Sequence, residues 1–139
     1  MKARLNKSYP GVSVSDTVAN EWSIFAEYRV PARTVIEVLE GAEFRLTLKD
    51  SGGTELPDDA LVMLAKLPAD HLRGGIKPIM DDEYGRWKNA NQYDVDEVPR
   101  VANGGIINEF EYLVIMVKSS TAVAKANSNF SLEVEKTVM

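Results

Sequence analysis

Two stretches of the chain alternate strictly between apolar and polar residues. They are Glu43–Lys49 (EFRLTLK) and Asn129–Glu135 (NFSLEVE). A period of two residues places the apolar side chains on one face of a strand and the polar side chains on the other. Both stretches are therefore predicted to be strands of antiparallel sheets, with one face packed in a core and the other in water.

Three further segments have the composition of strands. Thr34–Leu39 is rich in β-branched residues, and Glu21–Val30 alternates except where Phe25 interrupts its polar face. In Phe110–Lys118 the run YLVIMV is entirely apolar, which is typical of a central strand covered on both sides. These segments extend the predicted sheets along most of the chain outside its middle.

The stretch Pro57–Leu67 (PDDALVMLAKL) is open to two interpretations. Pro57 and the two acids after it suit the first turn of a helix, and Ala, Leu and Met favour helices. The apolar run Ala60–Lys66 is also what a short strand buried on both faces shows. A strand is favoured because the neighbouring segments on both sides are predicted to be β.

From Pro68 to Asn108 the chain is predicted to be irregular, because glycine and proline recur along it. Short strands are expected within it at Ile76–Met80, Tyr93–Val95 and Val98–Val101. A loop-rich segment of this length is unusual in a compact domain. It is therefore either a functional excursion or a segment that holds more regular structure than its composition indicates.

Size and pattern together predict one all-β domain. A chain of 139 residues, 45% of them hydrophobic and 27% charged, is long enough to bury a single sizeable core. The predicted architecture is an antiparallel β-sandwich over residues 21–139 with a loop-rich middle. Residues 1–20 are polar and contain a Pro-Gly turn, and they are predicted to form an extended N-terminal arm.

Charge is spread unevenly along the chain, whose net charge is −5. Up to Ser15 the chain carries Lys2, Arg4 and Lys7 and no acid, whereas the remaining 13 basic and 21 acidic side chains leave −8. An acidic body argues against nucleic acid as a partner, because such binding needs basic surface facing the phosphates. The basic arm, together with Tyr9, is a candidate partner-binding segment. The alternative is a solvated and frayed terminus.

Three further absences narrow the class of protein. No apolar stretch approaches the roughly 20 residues that a membrane helix needs, so no membrane partner is expected. The start Met1–Arg4 is basic, but no apolar region follows it before Tyr9, so a secretory signal is not visible. The absence of cysteine excludes a disulfide framework and a thiolate zinc site.

Residues equipped for catalysis or metal binding are scarce. Three acidic clusters offer hard oxygen ligands, but none fits the EF-hand calcium loop: Asp58-Asp59, Asp81-Asp82-Glu83 and Asp94-Val95-Asp96-Glu97. Solubility and turn formation are the favoured roles for them, and no metal or cofactor is expected. The single histidine, His71, is interpreted as a surface residue, since no nucleophile motif accompanies it. No enzymatic activity is therefore expected, and a hydrolase using the acidic loops ranks last.

Three aromatic residues lie close together in the irregular middle. Tyr84, Trp87 and Tyr93 are interleaved with charged residues and planar amides, such as Arg86 and Lys88. Such a mixture is what sugar-binding and protein-binding surfaces use, because the ring covers area while its neighbours give direction. The three aromatics are therefore a candidate ligand or partner surface. The alternative is that they anchor a loop onto the core.

The segment Tyr28–Val38 (YRVPARTVIEV), followed by Phe44–Gly53 (FRLTLKDSGG), resembles the opening strands of small jelly-roll proteins in tailed viruses. The family is that of capsid decoration (cement) proteins, and the closing segment Tyr112–Val138 is compatible with it. The resemblance implies a jelly-roll-like β-sandwich that sits on a shell, often as a trimer. It also implies a terminal arm that ties neighbouring capsid subunits together. No site residue is carried over by motif.

Two functions follow from these patterns and the resemblance. The first is a non-enzymatic virion decoration protein whose partners are a capsid or other shell protein and further copies of itself, with a trimer favoured. Its expected location is the virion if the protein is viral, and the cytoplasm otherwise. The alternative is a monomeric β-sandwich that binds carbohydrate or a similar ligand through Tyr84, Trp87 and Tyr93.

Overall fold

The computed structural model describes residues 1–70, 75–88 and 99–139. These residues form ten strands and two short 3-10 turns, the latter at Tyr84–Arg86 and Lys125–Asn127. The strands are β1 (Lys2–Asn6), β2 (Val12–Val14), β3 (Ser23–Arg29), β4 (Thr34–Val38), β5 (Phe44–Thr47), β6 (Leu61–Leu67), β7 (Lys77–Glu83), β8 (Gly105–Ile107), β9 (Tyr112–Lys118) and β10 (Asn129–Val138). Within the described ranges, no helix has the length and apolarity needed to cross a membrane.

The strands form two antiparallel sheets. In sheet one the order is β1-β10-β4-β8, and β5 pairs with β10 beyond the end of β4. In sheet two the order is β2-β3-β9-β6-β7. The two sheets pack face to face around one core, so the predicted antiparallel β-sandwich is confirmed.

The connectivity is that of a jelly roll. Strands β4 and β5 act as one interrupted strand, because they pair with Glu135–Val138 and Asn129–Leu132, two successive parts of β10. When they are counted as one and the short β2 is set aside, eight strands remain in two four-stranded sheets. Numbered along the chain, these run 1-8-3-6 in sheet one and 2-7-4-5 in sheet two, which is the jelly-roll order.

The core lies between the sheets and is filled from alternating positions. Phe44 and Leu46 of β5 and Phe130 and Leu132 of β10 are buried, whereas the residues between them face outward. Both predicted alternating strands are therefore confirmed. Removal of this apolar surface from water, worth roughly 25 cal/mol per Å², is the main force that holds the sheets together.

The ambiguous stretch before the middle of the chain forms a strand. β6 pairs with β9 on one side and with β7 on the other. Its apolar residues divide between two faces, with Val62 and Leu64 in the core and Met63 and Ala65 on the opposite side. The favoured interpretation is confirmed. As a strand, β6 satisfies its backbone hydrogen-bonding groups on both edges, through β7 and β9.

A β-bulge at Phe25 explains the interruption in the polar face of the first long strand. The register of β3 against β9 shifts between Ile24 and Ala26, which pair with Met116 and Ile115. The extra residue turns Phe25 into the core and reverses the alternation, so that Ile24 lies on the outer face and Ala26 on the inner face.

Residues 1–20, which are expected to form an extended arm, contribute β1 and β2 to the two sheets. β1 pairs with β10 over Lys2–Asn6, and β2 pairs with β3. Leu5 is buried and Ala3 packs against the core. The expectation is corrected for a physical reason. Two inward side chains among polar neighbours give a weak apolar signal, whereas ladder hydrogen bonds to β10 hold the segment in place.

The middle of the chain holds more regular structure than its composition predicts. The strand expected at Ile76–Met80 overlaps β7, which begins at Lys77 and continues to Glu83. Tyr93–Val95 lies outside the described residues, and the described part of Val98–Val101 includes a bridge between Arg100 and Glu43. Only one side chain of β7 is fully buried, so this edge strand carries little apolar pattern along its length.

Candidate interaction surfaces

The outer face of sheet one is covered by charged and polar side chains. Arg4 Nη2 lies 3.2 Å from Glu43 Oε2 and 3.7 Å from Glu133 Oε2. Lys2 Nζ lies 3.8 Å from Glu133, and Arg100 Nη2 lies 4.0 Å from Glu43. Each exposed pair stabilises the fold by at most about 1 kcal/mol. The main effect of the network is to keep this face hydrated.

All four residues expected to bind a partner through the arm lie against β10 or the chain just before it. Lys2 and Arg4 belong to the ion pairs on sheet one, although the Lys2 side chain remains 72% exposed. Lys7 Nζ donates hydrogen bonds to two carbonyl oxygens just before β10, at 2.8 and 2.9 Å. These contacts hold the start of the chain to its end.

Tyr9, the fourth of these residues, belongs to a small aromatic cluster. Its hydroxyl accepts a hydrogen bond from Lys136 Nζ at 3.1 Å, and its ring meets the Tyr28 ring edge-on, with the centroids 5.7 Å apart. The hydrogen bond to Tyr9 raises the pKa of Lys136, and burial raises the pKa of Tyr28. The cluster fixes the crossing from β1 to β2 against β10.

The outer face of sheet two is apolar. The residues that this sheet directs away from the core form a second cluster, which we name the outer apolar face. It consists of Trp22, Ile24, Met63, Ala65, Leu67, Tyr112, Val114 and Met116. Strand register brings them together, since Met116 pairs with both Ile24 and Met63, and Val114 pairs with Ala65. Val114 is fully buried (0% exposed).

Charged residues border the outer apolar face on the same strands. By register, Glu27 and Arg29 lie beside it on β3, Lys118 on β9 and Asp81 on β7. The five central residues of the face are at most 7% exposed within this chain, so it is a second packed layer and not a free surface. The sequence signal for this face was the continuous apolar run in β9, which alternation alone does not explain.

Tyr84 and Trp87 lie in the core, so the structure corrects the expected ligand surface. Tyr84 is 0% exposed and Trp87 is 1% exposed. The Tyr84 hydroxyl donates to Glu55 Oε1 and accepts from the Leu48 backbone N–H, both at 2.8 Å, and the Trp87 ring lies 5.2 Å from that of Phe44. Burial raises the pKa of Tyr84 well above its ordinary value.

These rings are the anchors that the alternative interpretation proposed. The 3-10 turn directs Tyr84 and Trp87 inward and leaves Arg86, which lies between them, at the surface. Lys88 forms an ion pair with Asp58 and lies over the Tyr84 ring, 5.2 Å from its centroid. Tyr93 lies outside the described residues.

The acidic clusters form no metal centre in the part of the chain that the structure describes, where no three His, Cys, Asp or Glu side chains are grouped to hold an ion. Asp82 instead lies 3.4 Å from Arg86. His71 and the cluster Asp94-Val95-Asp96-Glu97 fall outside the described residues. The interaction surfaces are therefore the features of the described chain that bear most directly on function.

Comparisons with known proteins identify the fold. No protein-family model matches the sequence, and no curated protein matches it either. The structure is similar to that of a complex of VP16 and VP17, the two major capsid proteins of bacteriophage P23-77. The TM-score is 0.70 at 6% identity, over 100% of this chain and 99% of that chain. It is also similar to VP17, a capsid protein of the same phage, with a TM-score of 0.64 at 8% identity, over 97% of this chain and 96% of that one. The resemblance to viral capsid jelly-roll proteins is thus confirmed at the level of the fold.

Proposed function

We propose that this chain is a non-enzymatic structural protein of a viral capsid. The observation that carries the proposal is the extent of the structural match. The similar structure of phage capsid proteins superimposes over 99% of its own chain and 100% of this chain. Jelly-roll proteins have many functions, so the fold alone does not support a capsid role. The support for that role is that both similar structures are of capsid proteins and that each matches over nearly its whole length.

The finer proposal is that the chain is a decoration (cement) protein that binds neighbouring subunits of a shell as a homo-oligomer, with a trimer favoured. The charged outer face of sheet one and the edge strand β1 support it, because they remain in water and can meet a neighbouring subunit. The outer apolar face of sheet two is already buried within this chain and offers no such surface. Its location is accordingly the virion.

The proposed partner-binding residues remain Lys2, Arg4, Lys7 and Tyr9. They lie on the edge strand β1 and in the turn after it. At the rim of sheet one, the Lys2 side chain is largely in solvent and the Arg4 side chain is about half exposed. An edge strand offers unpaired backbone groups to another chain, and its exposed charges select which chain approaches. The carbohydrate-binding alternative has lost its support, since Tyr84 and Trp87 are buried.

The test of this function is the composition of purified particles. Particles are separated on a density gradient from the culture that produces this chain, and their proteins are quantified by mass spectrometry. We expect the chain to sediment with the shell protein in a fixed ratio that survives a second gradient. Recovery of the chain only in the soluble fraction contradicts the proposal.

A further inference from the structure

The edge strands of the sandwich differ in how they discourage pairing with another chain. β7 carries Pro78 and the acids of 81–83, and β1 carries Lys2 and Arg4. β8 is Gly-Ile-Ile, and the Ile106 side chain is 50% exposed. Natural sheet edges are protected by charges and proline. Among the described edge strands, β8 is the one that exposes a large apolar side chain and has no charge of its own.

Unpaired negative charge lies beside β8. Ile106 pairs with Glu37 on β4, and Glu37 pairs with Glu135 on β10, so two carboxylates are direct neighbours. The N-terminal ammonium binds Glu135. No cation lies within ion-pair distance of Glu37 among the described residues. Like charges directly opposite each other destabilise a sheet, which makes Glu37 a position that favours a basic partner.

The chain directly after β8 adds a second carboxylate of this kind. The charge of Glu111 is balanced by Lys66, whose Nζ lies 3.6 Å from Glu111 Oε1. The same Nζ donates a hydrogen bond to the Ile106 carbonyl oxygen at 3.1 Å. Glu109 accepts a hydrogen bond from the Arg33 backbone N–H at 2.6 Å. Glu37 and Glu109 therefore flank the exposed Ile106 on two sides.

The opposite edge of the same sheet is basic and has the matching direction. Each neighbour in the order β1-β10-β4-β8 is antiparallel, so β1 and β8 run in opposite directions. A second copy displaced sideways along sheet one brings its β1 beside β8 in antiparallel orientation, with the same face outward. Apart from the rotation that sheet twist imposes, the change needed is local. Lys66 Nζ and Glu111 Oε1 bind the Ile106 carbonyl oxygen and the Asn108 N–H, and these two side chains give way to the incoming strand.

We propose that β1 of one copy pairs with β8 of the next copy, with Arg4 opposite Ile106. This contact rests on the proposed role as a shell subunit and supplies the means by which copies associate. In this register Lys2 faces Asn108, next to Glu109. Neighbouring strands are about 4.8 Å apart, so the Arg4 and Glu37 Cα atoms are about 10 Å apart. Their two side chains span that distance across Ile106.

The same charges disfavour pairing between identical edges. Antiparallel pairing of β1 with a second β1 brings the Lys2 and Arg4 side chains of two copies together, which is repulsive. The contact is therefore head-to-tail, and such contacts close into a ring or continue as a filament. β8 is three residues long, so a single contact is weak, and closure of a ring strengthens it by avidity.

Cysteine cross-linking tests the register, because the chain contains no cysteine. Full-length variants Lys2→Cys and Asn108→Cys leave Arg4 and Ile106 in place. They are mixed under mild oxidation. Directly opposite residues of antiparallel strands have Cα atoms about 4.5–5.5 Å apart, which lies within the Cα range of disulfides.

We expect this mixture to form the crossed dimer about tenfold faster than a control mixture of Val18→Cys with Asn108→Cys. Val18 is exposed and belongs to neither edge of sheet one. Equal rates in the two mixtures overturn the proposed contact.

Sedimentation velocity at low salt tests the chemistry of the contact. Ile106→Lys and Glu37→Lys should each weaken self-association about tenfold, and the control Val18→Lys should leave it unchanged. Glu37→Lys relieves repulsion with Glu135, so its melting temperature should not fall, which separates lost association from lost fold. Unchanged association in both variants, or a wild-type chain that is monomeric at every concentration, overturns the contact. If the chain is monomeric but is found in capsid particles, the proposed function stands and only the contact is overturned. If the chain is absent from particles, the proposed function itself is contradicted.

Discussion

The two sheets of the sandwich turn opposite chemistry outward. On β10, the central strand of sheet one, Glu133 and Glu135 face outward between buried apolar residues. On β9, the central strand of sheet two, the corresponding outward residues are Val114 and Met116. Both strands bury apolar side chains on their inner sides. They differ because β10 alternates strictly and β9 is a continuous apolar run.

The difference shows that one fold can have one face adapted to water and another adapted to packing. Sheet one needs only its inner face buried, and its outer ion pairs contribute little to stability. Sheet two keeps apolar side chains out of water on both of its faces. A substitution on its outer face should therefore lower the free energy of unfolding as much as a substitution in the core. The predictions that follow test this contrast, from the largest expected effect to the smallest.

Trp87→Ala measures how much a cavity in the shared core lowers the free energy of unfolding. Trp87 packs against Phe44 and is almost fully buried, so its loss leaves a large cavity. The free energy of unfolding should fall by about 3–5 kcal/mol, as measured by denaturant titration. Trp87→Phe fills part of the cavity and should lose less. A loss under about 1 kcal/mol for Trp87→Ala would show that the ring is not an anchor.

Val114→Asp measures the outer face of sheet two directly. Val114 is fully buried on the outer apolar face, and an unpaired carboxylate there should cost about 3 kcal/mol in denaturant titrations. The matched control is Thr137→Asp, an exposed outward position near the end of β10, where the cost should stay within about 0.5 kcal/mol. Similar costs at the two positions would remove the contrast between the sheets.

Tyr84→Phe should cost about 1–2 kcal/mol at neutral pH, because the Leu48 N–H loses its acceptor. Burial raises the pKa of Tyr84 above the ordinary tyrosine value of 10.0. The unfolded chain therefore releases this proton first as the pH rises. The stability contribution is complete below pH 10 and is lost progressively above it.

Thermal melts between neutral and alkaline pH check this sign. The wild-type melting temperature should fall above pH 10, and the fall should be shallower in Tyr84→Phe. Some alkaline loss should persist in the variant, because burial also raises the pKa of Tyr28. Parallel profiles for the two proteins would mean that Tyr84 ionises equally in both states.

Arg4→Ala should have the smallest effect on the isolated chain. Its exposed pairs with Glu43 and Glu133 contribute less than about 1 kcal/mol, and salt screens them. Melting temperatures of wild type and variant should converge as sodium chloride is raised. A large loss that persists in high salt would show that the charged face of sheet one is structural.

The sequence predicted those strands whose apolar pattern is strong. The alternation of Glu43–Lys49 and Asn129–Glu135 identified β5 and β10, and the apolar run of Phe110–Lys118 identified β9 as covered on both sides. The β-sandwich followed from these strands. β1 was not anticipated as a strand, because Leu5 and Ala3 are its only inward residues and its stability comes from pairing with a distant segment.

The candidate surfaces were harder to predict from the sequence than the strands. Tyr84 and Trp87 lie among charged residues, and only the tertiary contacts with Leu48 and Phe44 show that they point inward. The environment of Glu37 is likewise invisible in sequence, because Ile106 and Glu135 reach it from remote strands. Turn residues such as those before β8 mark a boundary, but they do not indicate which edge of a sheet is left exposed.

Electron cryomicroscopy of particles from the source culture tests the structural role most directly. A role in the capsid predicts two-sheet density of this chain at symmetric positions on the shell, with sheets that fit β1–β10 without rearrangement. Treatment that strips the chain should remove that density and lower the temperature at which the particles open. Well-resolved shells without such density, from a culture in which the chain is abundant, would contradict it.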